Sequence, residues 1–171
     1  IARWLRRQGI AFSWYINPDR KHGFFLPVEK LKGSLILNGD FAIPAKTLKA
    51  LVDAGCDVLS MDHHEVEPGV EGLLEYVSDS GNMGVVINNQ YTFEPEEAQY
   101  LSGAGVVYEV LCAINPEFAT EEHKALVGLT LLADVRDIEN PWARQYLNSL
   151  YTHPYTGYIK YLIDSTIGEK D

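Results

Sequence analysis

The chain has 171 residues, with 24 acidic against 14 basic side chains and a formal net charge of −10. Hydrophobic residues make up 46% of it, which excludes a disordered chain. The length predicts one domain over residues 1–171, or two small ones at most. No apolar run approaches the ~20 residues that cross a bilayer, so we expect no membrane segment. The negative charge argues against sequence-independent wrapping of a nucleic acid. It does not exclude a nuclease whose bound cations reverse the local charge.

Two cysteines, Cys56 and Cys112, are too few for a disulfide framework. Both stand in apolar surroundings, so we expect free, buried thiols and a cytoplasmic location. The first ten residues include three arginines with no apolar stretch behind them, which is not the pattern of a signal peptide. The chain also begins without a methionine, and we expect it to be cut from a longer protein.

The first half of the chain, roughly residues 1–90, is predicted to be α/β. A helix should begin at Pro44 and end at Gly55, because proline is tolerated in the first turn and glycine closes a helix. The strands on either side of this helix complete a βαβ unit, and their apolar character predicts a parallel sheet flanked by helices. Short apolar runs bounded by turn residues predict strands at 11–16, 34–38, 56–61, 73–77 and 84–87.

The second half, roughly residues 91–171, is predicted to be mostly helical. A long helix should begin at Pro95 and run through Cys112, because apolar residues recur there with a period of about 3.6. Thr120 is suited to cap the next helix. Pro141 opens a further helical stretch that is rich in tyrosine.

Polar residues follow two of the predicted strands. Asp40 comes after the strand at 34–38, and Asp62, His63 and His64 follow the strand at 56–61. Parallel strands end on the same edge of a sheet, which is where open α/β sheets bind ligands. Neutral imidazole binds transition metals, and a neighbouring carboxylate fixes its tautomer. These residues therefore suit a metal site, and a polar strand-to-loop junction without a metal is the alternative.

Asp134 is predicted to end the apolar helix that follows Thr120. A carboxylate at this end of a helix meets the negative end of the helix dipole, which costs about 0.3–1 kcal/mol. A bound cation would reverse that cost. A solvent-exposed acid at a frayed helix end is the alternative.

Four segments follow one another along the chain in a recognisable order, at residues 15–24, 57–65, 101–108 and 131–135. Residues 62–64 read Asp-His-His, and residues 102–105 read Ser-Gly-Ala-Gly. Together the four segments resemble motifs of the DHH phosphoesterase superfamily, in its RecJ-like branch, and they cover nearly the whole chain. The resemblance implies metal-dependent phosphodiester hydrolysis by an exonuclease acting on single-stranded DNA.

The resemblance also implies a role for individual residues. Asp40, His63 and Asp134 would bind metal at a two-metal centre of Mn²⁺ or Mg²⁺, with Mn²⁺ favoured because imidazole suits transition metals. His64 would act in catalysis at the scissile phosphate, supported by Asp62. The substrate-binding residues would be Ser102, Gly103, Gly105 and Arg136.

The chain departs from the family pattern in several places. The first family motif, Asp-x-Asp-x-Asp-Gly, and the C-terminal DHH-associated domain are not in the sequence, and we expect that domain in the same parent protein. Asp40 is followed by Phe-Ala where the RecJ branch has Cys-Gly, and Asn88-Asn89 stands in place of Asn-Pro. We therefore expect the chain alone to be inactive. The alternatives are a small-substrate phosphodiesterase (a nanoRNase, or one for cyclic dinucleotides), a pyrophosphatase, and an inactive DHH-fold binding module in replication or repair.

Overall fold

A computed structural model describes residues 1–16, 27–65, 74–92, 100–134 and 140–154, together with Gly157. Single turns of 3₁₀ helix lie at Val28–Lys30 and Pro116–Phe118. The strands are β1 (Leu35–Gly39), β2 (Asp57–Asp62), β3 (Glu75–Val77) and β4 (Met83–Asn88). The α-helices are α1 (Ala2–Arg7), α2 (Ala45–Asp53), α3 (Asn89–Thr92), α4 (Gly103–Ile114), α5 (Glu121–Ala133) and α6 (Pro141–Thr152).

The strands form one sheet in the order β1-β2-β4-β3. β1, β2 and β4 are parallel, while β3 runs antiparallel to β4. The antiparallel pair arises because a tight turn joins β3 to β4, in which the N–H of Ser78 donates to the carbonyl of Asn82 at 2.9 Å. The α/β prediction is confirmed, with a mixed sheet whose central strands are parallel.

Both faces of the sheet are covered, as the apolar strands predicted. Along β2, Val58 belongs to the hydrophobic cluster that includes α2, while Leu59 and Met61 belong to the cluster formed with α4, α5 and α6. This alternation is the two-residue period of a strand. Cys56 and Cys112 are both free thiols, the first buried and the second partly buried.

Several helix boundaries match the sequence predictions. α2 follows Pro44, and Gly55 just beyond the helix has a φ of +93°, the left-handed conformation that favours glycine. Thr120 caps α5 by accepting a hydrogen bond from the N–H of His123 at 3.2 Å. α6 begins at Pro141 as predicted. Within the described part of the chain, no helix is both long and apolar enough to cross a membrane.

Two predictions were wrong. Residues 11–16 form no strand, and none of the described strands pairs with them. Trp14 and Ile16 are consequently 70% and 74% exposed. The helix predicted from Pro95 through Cys112 is wrong at Leu101 and Ser102, which are not helical, and Ser102 instead caps α4. Residues 95–99 of the predicted helix, residue 73 of the predicted strand at 73–77 and the end of the tyrosine-rich stretch lie outside the described residues.

Candidate metal centre

Four ligand-type side chains meet where β1 and β2 end. Gly39 and Met61 are paired in the parallel ladder, so the residues that follow them, Asp40 and Asp62, leave the sheet side by side. The potential ligand atoms of Asp40, Asp62, His63 and His64 all lie within 4.8 Å of one another. The shared sheet edge that the sequence predicted is therefore confirmed. We call these four residues the edge cluster.

Asp40 is held in an unusual backbone conformation. Its φ is +67°, in the left-handed region that aspartate tolerates better than most side chains. The N–H of Asp40 donates to the carbonyl of Met61 at 3.0 Å. The side chain of Asn38 donates to the carbonyl of Phe41 at 2.9 Å and to the hydroxyl of Ser60 at 2.7 Å. These bonds fix the turn that carries the Asp40 carboxylate.

His63 points at Asp40. Its Nε2 lies 3.2 Å from Oδ1 of Asp40. The side chain of His63 is only 10% exposed, whereas that of Asp40 is 61% exposed. The pair thus joins a nearly buried imidazole to a carboxylate that solvent reaches.

His64 is oriented by the buried carboxylate of Asp62. Its Nδ1 lies 2.7 Å from Oδ1 of Asp62, and because a carboxylate only accepts, Nδ1 carries the proton. Nε2 then presents its lone pair, the form of imidazole that binds metals or takes up a proton. The side chain of His64 is 41% exposed, so the edge cluster opens to solvent at His64 and Asp40.

The second carboxylate oxygen of Asp62 is an orphan. Oδ2 is buried and has no hydrogen-bond partner among the residues that the structure describes. Burial is the main cause that raises the pKa of Asp62, and the hydrogen bond from His64 opposes it. A buried polar atom without a partner costs about 1–3 kcal/mol, and more when it is charged. A bound cation would remove that cost.

Three amide side chains beside the edge cluster were given no role in the site from the sequence. Asn88 donates to the carbonyl of His64 at 2.9 Å, and Gln90 donates to the carbonyl of His63 at 3.0 Å. Asn89 donates to the carbonyl of Leu101 at 3.3 Å. The available signal was their position directly after β4, which is the third parallel strand to end at this edge.

Asp134 lies near the edge cluster but is not one of its four members. It is the C-terminal cap of α5, as the sequence predicted. Its pKa is raised first by burial and then by the negative charge of Asp40, while His64 lowers it. Asp134 is therefore within electrostatic reach of the cluster, and its role as a metal ligand stays a prediction.

The residues assigned to substrate binding fall in different surroundings. Ser102 is fully buried, accepts a hydrogen bond from the N–H of Gly105 at 3.2 Å and contacts the hydroxyl of Thr130 at 2.7 Å. Gly103 lies against the side chain of Asp40, and Gly105 packs against Leu101. Arg136 lies outside the described residues. Ser102 is the N-terminal cap of α4. The substrate-binding role of these residues stays a prediction.

Comparisons of the chain with protein-family models, curated proteins and solved structures find no match.

Proposed function

We propose that this chain is the catalytic part of a metal-dependent phosphodiesterase of the DHH type, a RecJ-like exonuclease acting on single-stranded DNA. The observation that carries the proposal is the edge cluster, with the orphaned oxygen of Asp62 buried inside it. The resemblance of four segments to DHH motifs supports the choice of reaction and of substrate. The two free thiols support a cytoplasmic location.

The donor set of the edge cluster fits a transition-metal ion. Two imidazoles and two carboxylates suit Mn²⁺ better than Mg²⁺, because Mg²⁺ prefers ligands that are all oxygen atoms. Two donors bound at about 2.0–2.2 Å to one ion lie about 3 Å apart, and Nε2 of His63 is 3.2 Å from Oδ1 of Asp40. Asp40 and His63 would therefore hold the ion, with Asp62 and Asp134 as further carboxylates near it.

The residues of the edge cluster have different roles in the proposed reaction. Divalent ions, when bound, would lower the pKa of a water and stabilise the attacking and leaving oxygens of the phosphodiester. Asp62 holds His64 in the tautomer that leaves Nε2 unprotonated. The side chain of His64 reaches solvent, and we propose that its Nε2 contacts the phosphate group or transfers a proton to the leaving oxygen. Asp40 and Asp62 would repel a phosphate in the absence of cations, which makes the proposed activity strictly dependent on metal.

Calorimetric titration of the chain with Mn²⁺ tests the metal centre. We expect the wild-type chain to bind Mn²⁺ and His63→Ala to lose that binding. His123→Ala is the matched control, because His123 lies far from Asp134. It stacks on Phe118 near the start of α5, about 16 Å along that helix from Asp134. Equal affinity in wild type and His63→Ala would contradict the metal centre.

A hydrolysis assay on the encoded protein at full length tests the reaction. We expect Mn²⁺-dependent degradation of labelled single-stranded DNA, abolished by His63→Ala. Hydrolysis of a cyclic dinucleotide or of pyrophosphate, without degradation of DNA, would keep the chemistry and change the substrate class. Mn²⁺ binding without hydrolysis of any of these would favour the binding module instead.

A further inference from the structure

Three consecutive side-chain amides, Asn88, Asn89 and Gln90, each reach a backbone carbonyl in another segment. Asn88 and Gln90 reach the carbonyls of the two adjacent histidines, His64 and His63, at 2.9 and 3.0 Å. Asn89 reaches Leu101, the residue before the cap of α4, at 3.3 Å. We call Asn88, Asn89 and Gln90 the amide triplet.

The amide triplet begins where the sheet ends. Asp62 and Asn88 are the last paired residues between β2 and β4, so His63 and His64 lie beyond the ladder that would bond their carbonyls. Side-chain amides supply these hydrogen bonds instead, at the partly buried carbonyl of His64 and at the exposed carbonyl of His63. Asn88 is itself buried and fixed, because its Oδ1 accepts the N–H of Gln90 at 2.9 Å. This bond directs its Nδ2 toward His64.

The carbonyls held in this way set the direction of the histidine rings. A shift of the backbone at His63 would move its Cα–Cβ bond, and Nε2 would leave its position 3.2 Å from Asp40. The amide nitrogens are donors, so they cannot themselves bind a cation. Through Leu101 the same triplet also fixes the start of α4, whose first residue, Gly103, contacts Asp40.

We propose that Asn88 and Gln90 are positioning residues that hold His63 and His64 in their metal-binding arrangement through the backbone carbonyls. This assignment rests on the proposed function, because it presumes that the histidines bind metal. Asn88 and Gln90 would orient the histidine ligands without binding the metal themselves. The effect should therefore show in metal affinity more than in the stability of the metal-free chain.

Gln90→Met is the variant of choice, because Gln90 is exposed and methionine keeps its length while removing the donor. We expect the dissociation constant for Mn²⁺, measured by calorimetry on the full chain, to rise about tenfold, at the low end of the 10–100-fold cost of losing an outer-shell partner. Gln145→Met, on the exposed side of α6, is the matched control and should leave the dissociation constant unchanged.

A second measurement uses the metal-free chain. The imidazole signals of His63 and His64 in a nitrogen-resolved NMR spectrum should shift in Gln90→Met and stay in place in Gln145→Met. Wild-type Mn²⁺ affinity in Gln90→Met, together with unmoved histidine signals, would overturn the positioning role and leave the proposed function standing. A wild-type chain that binds no Mn²⁺ would overturn both.

Discussion

Gly103 lies so close to Asp40 that it has no room for a side chain. A β-carbon built on Gly103 would lie 2.6 Å from Cγ of Asp40 and 2.7 Å from its Cβ, well inside van der Waals contact. The backbone holds the Cβ of Asp40 in place, because φ is +67° and the N–H of Asp40 is bonded to the carbonyl of Met61. The first residue of α4 is therefore glycine because of the carboxylate beside it.

Gly103→Ala should weaken Mn²⁺ binding by about tenfold or more, because the added methyl group displaces the Asp40 carboxylate from His63. Helix propensity alone gives no reason for glycine here, since alanine is favoured over glycine by about 0.8–1.0 kcal/mol in a helix interior. Calorimetric titration with Mn²⁺ measures the effect. An unchanged dissociation constant would show that Asp40 can move without cost to the centre.

Gly128→Ala is the matched control for that variant. A β-carbon on Gly128 would lie 2.5 Å from the backbone oxygen of Tyr146, where α5 packs against α6, so the same substitution overcrowds a helix contact elsewhere. We expect it to lower the free energy of unfolding by about 1–3 kcal/mol and to leave Mn²⁺ affinity unchanged. A loss of affinity equal to that of Gly103→Ala would indicate a general effect of destabilisation.

Ser102→Ala should act on stability. Ser102 accepts the N–H of Gly105 and donates to Thr130, whose own hydroxyl donates to the carbonyl of Val127 at 2.8 Å. Loss of a helix cap costs about 0.5–2 kcal/mol, and chemical denaturation measures it. Thr120→Ala removes the equivalent cap of α5 and should cost a similar amount. A raised KM for DNA in full-length Ser102→Ala, without loss of stability, would support the substrate role instead.

The sheet edge could be predicted from the sequence because the signals are local. Apolar runs separated by a helix predict parallel strands, and parallel strands bring their following residues together, which placed Asp40 beside His63. Thr120 and Pro141 likewise mark helix starts by residue type alone. Each of these predictions depends on a few neighbouring residues.

The rest depends on tertiary contacts. The segment 11–16 has the composition of a strand, but a strand forms only beside a hydrogen-bonded neighbour, and none of the described strands pairs with it. Ser102 stands within an apolar period of 3.6, so the periodicity hid the helix start that its hydroxyl creates. The carbonyl contacts of Asn88 and Gln90 join residues more than 20 positions apart, which single-sequence patterns do not reveal.

The two histidines should differ when each is replaced. His63 is nearly buried and faces Asp40, so His63→Ala should abolish Mn²⁺-dependent hydrolysis by the full-length protein while circular dichroism shows an intact fold. His64 is more exposed and is held by Asp62, so His64→Ala should mainly lower kcat, by about 10²–10⁴-fold if it transfers a proton. Wild-type turnover in His63→Ala would refute its role as a ligand.

The buried carboxylate of Asp62 should make the metal-free chain less stable as the pH rises. Burial raises the pKa of Asp62 from its ordinary value of 3.8. At pH values well below 3.8, the carboxyl is protonated in both states and carries no penalty. As the pH rises above this value, the unfolded chain releases its proton first, so the folded state loses stability until its own carboxyl has titrated. Asp53 and Glu121 have lowered pKa values and act in the opposite sense.

Asp62→Asn should therefore stabilise the chain in the presence of a chelator. At pH 7 we expect a gain of about 1 kcal/mol from removing the buried charge, which corresponds to a rise in Tm of about 2–4 °C. The gain should shrink as the pH falls toward 4. The contributions of Asp53 and Glu121 cancel in the difference between the two proteins, because both proteins contain these residues. Mn²⁺ should reverse the order, since it stabilises only the protein that binds it. Thermal denaturation across pH, with chelator and with Mn²⁺, measures all three effects. A variant less stable than wild type in chelator at pH 7 would contradict this prediction.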